Sequence, residues 1–356
     1  MLKMDFVEQG IRAILDFNES LIDDLEEKAA GFEGWSHNFA DLNTAREVAD
    51  YIVGSTQAIG SNLQAVAVHL QTYQELRYQQ DSAMKLLLST TGNWYPRPRT
   101  SHFDEKELRL DVCERAFYVT VGSVLDCLTA TLIGLAGLKL DIHRADSGLL
   151  LPLTGLESYP SKPENRNLFE SLMEESPGRE AQVKAIRAVA TAFRQSGPEQ
   201  WLDWTLGMRN MVVHREHRGE IVSADQQKDR SYLISRLPPA NPNLSNLQGF
   251  RAGGDKLDDY YLHEDLGKTL VGIAGSVNAA VAASVVSLRA LWDDRKMRPN
   301  LIVQPVEQWK TNERPIAFGG YDPGGPSLSK KSSLTLSPTD WKRLLAGGVG
   351  TPNGNR

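Results

Sequence analysis

The sequence predicts an all-α protein built around an antiparallel helical bundle. Long segments carry apolar residues at helical spacing, and residues with capping-box spacing precede two of them. Clusters of proline and glycine separate the segments, as expected for the loops between helices. The chain has 356 residues, of which 41% are hydrophobic and 24% are charged, so it is long and apolar enough to bury a core.

The predicted helices follow one another along most of the chain. Apolar periodicity and breaks at proline or glycine place them at residues 4–30, 44–89, 104–140, 166–176, 179–196, 198–218 and 263–296. Thr44 with Glu47, and Asp104 with Glu107, have the spacing of a capping box. We therefore expect the second and third helices to be capped at Thr44 and Asp104.

The helices group into three predicted regions. Residues 1–90 form an N-terminal helical region, residues 104–298 form the bundle, and residues 299–356 form an irregular tail. Residues 220–262 are predicted to be irregular except for a short strand in SYLISRL. The tail contains GGYDPGGPSLSKKSS, a composition that does not bury a core, and a short terminal helix is predicted to start near Ser337.

Two apolar segments raise the question of a membrane. Residues 121–138 are too short to cross one and contain Asp126, and residues 270–291 are rich in small residues and contain Asn278 and Arg289. We expect both to be buried helices whose small residues allow close packing, without membrane contact. The N-terminus has no uninterrupted apolar run, which argues against a signal peptide.

Charge and cysteine content limit the classes of site. The formal net charge is −6, so any site for a polyanion has to be local. Cys113 and Cys127 fall on one predicted helix, roughly 21 Å apart at about 1.5 Å per residue, which is too far for a disulfide. No zinc-binding spacing of cysteine or histidine occurs, so we expect no metal and no cofactor. Reduced cysteines are typical of the cytoplasm.

The segment RNMVVHREHR, residues 209–218, is unusually rich in arginine and histidine. It closes a predicted helix that starts at Pro198 and stops before Gly219. One interpretation is an ordinary helix C-terminus, where the helix dipole favours cations. That interpretation fits Arg215, His217 and Arg218, but it fits Arg209 less well, because Arg209 lies about two turns inside the helix.

The same helix also carries a polar stripe. At about 100° per residue, Asp203, Asn210, His214 and His217 lie on one face, with Arg209 at its shoulder. The apolar residues are predicted to lie on the opposite side of the helix: Trp201, Trp204, Leu206, Met208, Met211, Val212 and Val213.

Arg209, Asn210 and His214 together resemble the signature of the HEPN family, an Arg followed after four to six residues by a His, often with Asn directly after the Arg. A second match, Arg97 with His102, lies in a predicted proline-broken loop and is interpreted as accidental. The resemblance covers residues 104–298 and implies an all-α bundle in which two copies pair, so that both motifs line one cleft. It implies metal-independent cleavage of RNA.

The segment ERAFYVTVGSVLDCLTATL is similar to an early long helix of that family. Asp126 within it is a candidate auxiliary acid, and the alternative is an ordinary core carboxylate. Arg215, His217 and Arg218 are candidates for extending the contact with RNA phosphates.

The chemistry of RNA cleavage suits these residue types. The 2′-OH of RNA is the nucleophile, and an imidazole, with a pKa of about 6.5, can accept its proton or protonate the leaving 5′-oxygen. We expect His214 to be the acid or base and Arg209 to hold the phosphoryl oxygens. Asn210 is expected to orient either His214 or a phosphoryl oxygen. The products would be a 2′,3′-cyclic phosphate and a 5′-hydroxyl end.

The sequence thus predicts an endoribonuclease that acts as a homodimer, in the role of a toxin or anti-phage defence effector with an antitoxin or defence partner. Two alternatives stay open. One is a non-catalytic module of the same family that binds RNA or protein through the cleft. The other is a helical structural subunit of a larger assembly.

Overall fold

The structure is a computed structural model that describes residues 5–26, 29–39, 41–92, 101–149, 171–214, 221–228, 231–243, 260–303, 340 and 342–343. Seven α-helices and one two-stranded sheet are present in these ranges. The helices are α1 Asp5–Leu25, α2 Ala30–Ser36, α3 Leu42–Thr91, α4 Ser101–Ala136, α5 Pro177–Gln195, α6 Trp201–His214 and α7 Leu266–Met297; the strands are β1 Ile221–Gln226 and β2 Tyr232–Leu237. The predicted all-α fold is confirmed.

The predicted caps of α3 and α4 are wrong by a few residues. Asp41 caps α3, because its carboxylate accepts the backbone N–H of Thr44 at 2.9 Å and the Thr44 hydroxyl at 2.7 Å. Helix α4 begins at Ser101, which places Asp104 inside the first turn. An acidic residue is favourable in the first turn as well as at the cap, so the sequence pattern fits both positions.

A glycine and a glutamine in the left-handed region fix two further helix ends. Gly137 has a φ of +56° and ends α4 at Ala136, before the predicted end near residue 140. Gln200 has a φ of +63°, so α6 begins at Trp201 and not at the predicted Pro198. The Trp201 indole N–H donates to the Phe193 carbonyl at 3.0 Å, which holds this start against the end of α5.

Two of the shorter predicted elements were also only partly right. Residues 171–176 are not α-helical, contrary to the helix predicted at 166–176, whose first five residues lie outside the described part. Ser176 instead caps α5 by accepting the N–H of Arg179 at 3.2 Å. The predicted terminal helix is supported by helical backbone at Asp340, Lys342 and Arg343, while Ser337 lies outside the described residues.

The strand predicted in SYLISRL is confirmed as β2, but the sequence did not predict its partner. β1 pairs antiparallel with β2, with Ile221 opposite Leu237, in a region predicted to be irregular. The IVSADQ segment of β1 becomes polar after two residues, so its alternation is too short to indicate a strand. Ile234 of β2 packs with Met84 of α3, and this contact seats the hairpin on the helices.

A single hydrophobic core draws side chains from all seven helices. Helices α3 and α4 run antiparallel, since Ile52 lies against Gly134 and the hydroxyls of Thr56 and Thr131 are 3.4 Å apart. The core therefore contains residues from both the predicted N-terminal region and the predicted bundle. The division at residue 90 stays a prediction.

The two apolar segments belong to α4 and α7, and their predicted burial is confirmed. Both helices are long and apolar enough to cross a membrane, yet 72% and 61% of their most apolar windows are buried inside this fold. Side chains from neighbouring helices satisfy the carbonyls at the end of α4. Arg295 of α7, fully buried, donates to Gly134 and Leu135 at 3.0 and 2.7 Å, and Gln182 of α5 donates to Ala136 at 2.7 Å.

Candidate active site

Helix α6, which carries the arginine and histidine motif, packs along the second half of α4. The ring centroids of Tyr118 on α4 and Trp204 on α6 are 6.1 Å apart, edge to face. Arg209, five residues after Trp204 on α6, contacts Gly122 and Asp126, which lie one and two turns after Tyr118 on α4. The indole N–H of Trp204 also donates to the Pro239 carbonyl at 3.0 Å, so the segment after the hairpin covers the other side of α6. The helix is therefore held from two sides, which fixes its rotation.

Arg209 lies across the surface of α4. Its Nε is 2.8 Å from the position that a Cβ on Gly122 would occupy, so a larger residue at position 122 would force the Arg209 side chain to move. One turn further along α4, the Asp126 carboxylate accepts an N–H from Arg209 at 3.2 Å. The two side chains are 28% and 25% exposed, which means that solvent reaches the pair. Among the described residues, Asp126 is the one acceptor of Arg209, which has five N–H donors.

Asp126 connects three elements. Its second carboxylate oxygen accepts the backbone N–H of Ser147 at 2.7 Å, at the start of a short 3-10 helix, Ser147–Leu149. The segment that follows α4 therefore turns back and fixes this carboxylate beside α6. Asp126 is thus neither free nor sealed in the core, and its role as an auxiliary acid stays a prediction.

For the other residues of the polar stripe, the structure describes the side chains of Asp203 and Asn210. Asn210 is half-buried, and His214 is the last residue of α6, with a side chain outside the described part. Asp203, two turns before Asn210, is half-buried, and burial raises the pKa of its carboxyl. Val213 is predicted to lie on the apolar side of α6, and this prediction is wrong, because its side chain is 45% exposed. Val213 lies next to the end of α6.

The candidate RNA contacts Arg215, His217 and Arg218 lie outside the described residues, as does Gly219. The second Arg-to-His match, Arg97 with His102, is predicted to lie in a loop. This is wrong for His102, which belongs to the first turn of α4, and Arg97 lies outside the described residues. In the ranges that the structure describes, no group of three or more metal-ligating side chains comes together.

An exposed apolar strip leads to the Arg209–Asp126 pair. Leu108, Val112 and Val119 occupy the same face of α4 as Asp126, and they are 62%, 55% and 41% exposed. Val213 lies one turn beyond Arg209 on α6. Arg115, which is half-buried, lies on the same face between Val112 and Val119, so the strip combines apolar side chains with one cation.

Comparison of the chain with models of known protein families, with curated proteins and with solved structures gives no match. The site therefore has to be interpreted from its own geometry. Sequence reasoning identified Arg209 and Asp126, which the fold brings together, but it missed Gly122 and Ser147. Gly122 lies one turn before Asp126, and this spacing would have been a signal; nothing in the sequence points to Ser147.

Proposed function

We propose that the protein is a metal-independent endoribonuclease of the HEPN type, in which Arg209 and His214 act on one phosphodiester. The proposal rests chiefly on one observation. Arg209 lies on a solvent-accessible surface beside Asp126, five residues before His214 on a helix whose rotation is fixed by packing. A cation that only stabilised the dipole of α6 would lie in the last turn, whereas Arg209 lies five residues before His214, the last residue of the helix, and its side chain runs over Gly122.

In the proposed reaction, the RNA 2′-oxygen forms a bond to phosphorus while the bond to the 5′-oxygen breaks. One imidazole accepts the 2′-OH proton, and an imidazolium gives a proton to the leaving 5′-oxygen. The Arg209 guanidinium donates to the phosphoryl oxygens, where negative charge increases in the transition state. Asp126 is a positioning residue that holds the guanidinium over Gly122. Asn210, half-buried one turn before His214, would orient a phosphoryl oxygen or the imidazole.

The two proton transfers are the reason to propose a homodimer. Two copies that meet along the strip formed by Leu108, Val112 and Val119 would bury these apolar side chains and bring two copies of the Arg209 site close together. Each cleft would then contain two imidazoles, one for each proton. In this proposal the protein acts on RNA in the cytoplasm, and Arg215, His217 and Arg218 extend the contact with the RNA phosphates. An antitoxin or defence protein would inhibit its activity.

Removal of the guanidinium should lower RNA cleavage strongly. We expect Arg209→Ala to reduce the rate by about 10²- to 10³-fold, because a donor to the developing charge is lost. Arg209→Lys should retain part of the activity, since it keeps the charge but not the two-point contact. The matched control is Arg187→Ala, on the exposed face of α5. Cleavage of a labelled RNA by each purified protein is the measurement, and equal rates for Arg209→Ala and Arg187→Ala would refute the role.

Chelation should leave cleavage unchanged. The proposed chemistry uses imidazoles and a guanidinium, so the rate in excess EDTA should equal the rate in added Mg²⁺. Gel analysis of the ends provides the second readout, because 2′-OH attack leaves a 2′,3′-cyclic phosphate and a 5′-hydroxyl. A strict need for a divalent ion, or a 5′-phosphate on the product, would contradict the mechanism.

One observation favours a second function, a non-catalytic module that binds RNA or protein. Arg209 is already paired with Asp126, and an ion pair with a purely structural role would have the same geometry. Expression in a bacterial host separates the two functions. Growth arrest that Arg209→Ala relieves is expected of the enzyme, whereas harmless expression of both proteins is expected of the binding module.

A further inference from the structure

Between Thr269 and Trp292, all of which the structure describes, every exposed residue of helix α7 is apolar. These residues and the half-buried Gly275 form what we call the outer face of α7: Val271, Gly272, Gly275, Ala279, Ala283, Val286 and Ala290. At about 1.5 Å per residue, the face is about 28 Å long. A surface helix ordinarily carries charged and polar residues on its outer side, and a helix that is apolar all round is ordinarily covered on all sides. The outer face of α7 therefore has the composition of a contact surface.

The outer face is not used in the packing of α7 against its neighbours. Its residues lie within about 120° of one another around the helix. Side chains on the flank of α7 make the contacts with α1, where Asn278 accepts a backbone N–H at 2.8 Å and the Arg289 guanidinium lies 5.7 Å from the centre of a phenylalanine ring. Among the described atoms, none lies within 4 Å of the Cβ positions of Gly272 and Gly275. The core is thus complete without this face.

The size of the side chains indicates what kind of surface covers the outer face. Gly275, Ala279 and Ala283 follow one another at intervals of four residues, a spacing that lets the backbones of two helices approach closely. Lipid tails favour large aliphatic side chains, and only Val271 and Val286 on this face are large. The face therefore fits a second helix better than it fits a lipid surface.

The two halves of the outer face complement each other in charge and in shape. The exposed Lys268 precedes the face, and Asp293, which is 53% exposed, follows it. Val286 projects with 70% of its surface exposed, whereas Gly275 has no side chain. A two-fold axis across α7 near Val281 brings Lys268 opposite Asp293 of a second copy. The same axis brings Val286 opposite Gly275, where the projecting side chain has room.

We propose that two copies of the chain pair through the outer face of α7, with the two helices antiparallel. Removal of the apolar residues from water stabilises the pair. The end charges favour the antiparallel direction, although they contribute little to affinity, because Asp293 is exposed and also pairs with Lys296 at 3.0 Å. This contact is on a different helix from the α4 strip and does not depend on the proposed nuclease activity. A chain that uses both contacts forms an assembly larger than a dimer.

Disulfide cross-linking tests the antiparallel register. A mixture of the Gly275→Cys and Val286→Cys proteins, when oxidised, should form covalent dimers, because the two positions face each other across the axis. Each variant alone should give only the background of the wild type, which contains Cys113 and Cys127. Dimers of Gly275→Cys alone would mean a parallel pair, and no cross-linking above background would mean that the outer faces do not meet; either result would overturn the proposal.

Light scattering measures the pairing itself. Val286→Glu should halve the mass of the wild-type particle, because the contact would bury an unpaired charge. It should leave the unfolding temperature unchanged, since position 286 is 70% exposed. The matched control is Leu86→Glu on α3, where the side chain is 64% exposed, and it should not change the mass.

Equal masses for the wild type and Val286→Glu would overturn the pairing. Binding of the wild type to phosphatidylcholine vesicles, abolished by Val286→Glu and without any cross-linked dimer, would assign the face to lipid and would overturn it as well. RNA cleavage is a separate readout: its absence would refute the nuclease and leave the cross-link and the masses as expected here.

Discussion

Replacement of His214 by alanine should abolish RNA cleavage while the protein stays folded. A general acid or base contributes about 10²- to 10⁴-fold to the rate of such reactions, so a loss of at least about 100-fold is expected. His214 is the last residue of α6, so the substitution does not interrupt the helix. The measurement is single-turnover cleavage of a labelled RNA, together with thermal unfolding of both proteins.

His263→Ala is the matched control for this experiment. His263 is exposed, precedes α7 and is not part of the proposed motif, so its loss should leave the cleavage rate unchanged. A mixed dimer adds a sharper readout. If the two proton transfers use imidazoles from different copies, mixtures of wild type and His214→Ala should lose activity faster than the wild-type fraction falls. Cleavage by His214→Ala at the wild-type rate would remove His214 from the mechanism.

The helical content and the identity of the buried segments could be predicted from the sequence because both depend on local spacing. Apolar residues such as Val121, Leu125 and Leu128 repeat at helical intervals, and all three are buried. The ends of the helices were less predictable. Backbone conformation at single residues decides them, and nothing in the sequence announces that Gln200 takes a positive φ.

For the candidate site, too, the sequence predicts positions along each helix and does not predict the contacts between helices. The positions of Arg209 and Asp126 on their helices follow from periodicity, but their meeting depends on how α6 crosses α4. That crossing is set by contacts far apart in sequence, such as the rings of Tyr118 and Trp204. Pairwise contacts of this kind leave no local pattern, which is why Ser147, the backbone partner of Asp126, could not be predicted.

The largest loss of stability is expected from substitution of Asp265, the residue that caps α7. One of its oxygens accepts the Gly267 N–H at 3.0 Å and caps α7, and the other accepts the Arg236 N–H at 3.2 Å from β2. Both oxygens also accept N–H groups of Arg77 on α3. The carboxylate thus joins α3, the hairpin and α7. Arg77 and Asp265 are only 13% and 18% exposed, so little solvent can replace either partner.

Asp265→Ala should lower the free energy of unfolding by about 3–5 kcal/mol, because it leaves a mostly buried guanidinium and two backbone N–H groups without their acceptor. Asp81, 3.2 Å from Arg77 Nε, retains part of the charge balance. Asp265→Asn should cost less, since asparagine is also a good cap. Glu264→Ala, at the exposed neighbouring position, should change stability by about 0.5 kcal/mol or less. Urea unfolding of the four proteins at neutral pH is the measurement.

The pH dependence of the stability difference between wild type and Asp265→Asn tests how much of this difference depends on the charge of Asp265. Burial raises the pKa of Asp265, but hydrogen bonds from Arg77, its charge, and the N–H groups of Arg236 and Gly267 outweigh burial and hold the pKa below its ordinary 3.8. A carboxyl with a lowered pKa in the folded state contributes stability above its unfolded pKa and loses that contribution as the pH falls through the folded value. The difference between wild type and Asp265→Asn should therefore be constant from neutral pH down to about 5 and shrink below about 4. A difference that persists unchanged at pH 3 would mean that packing, and not the charge of Asp265, holds the three elements together.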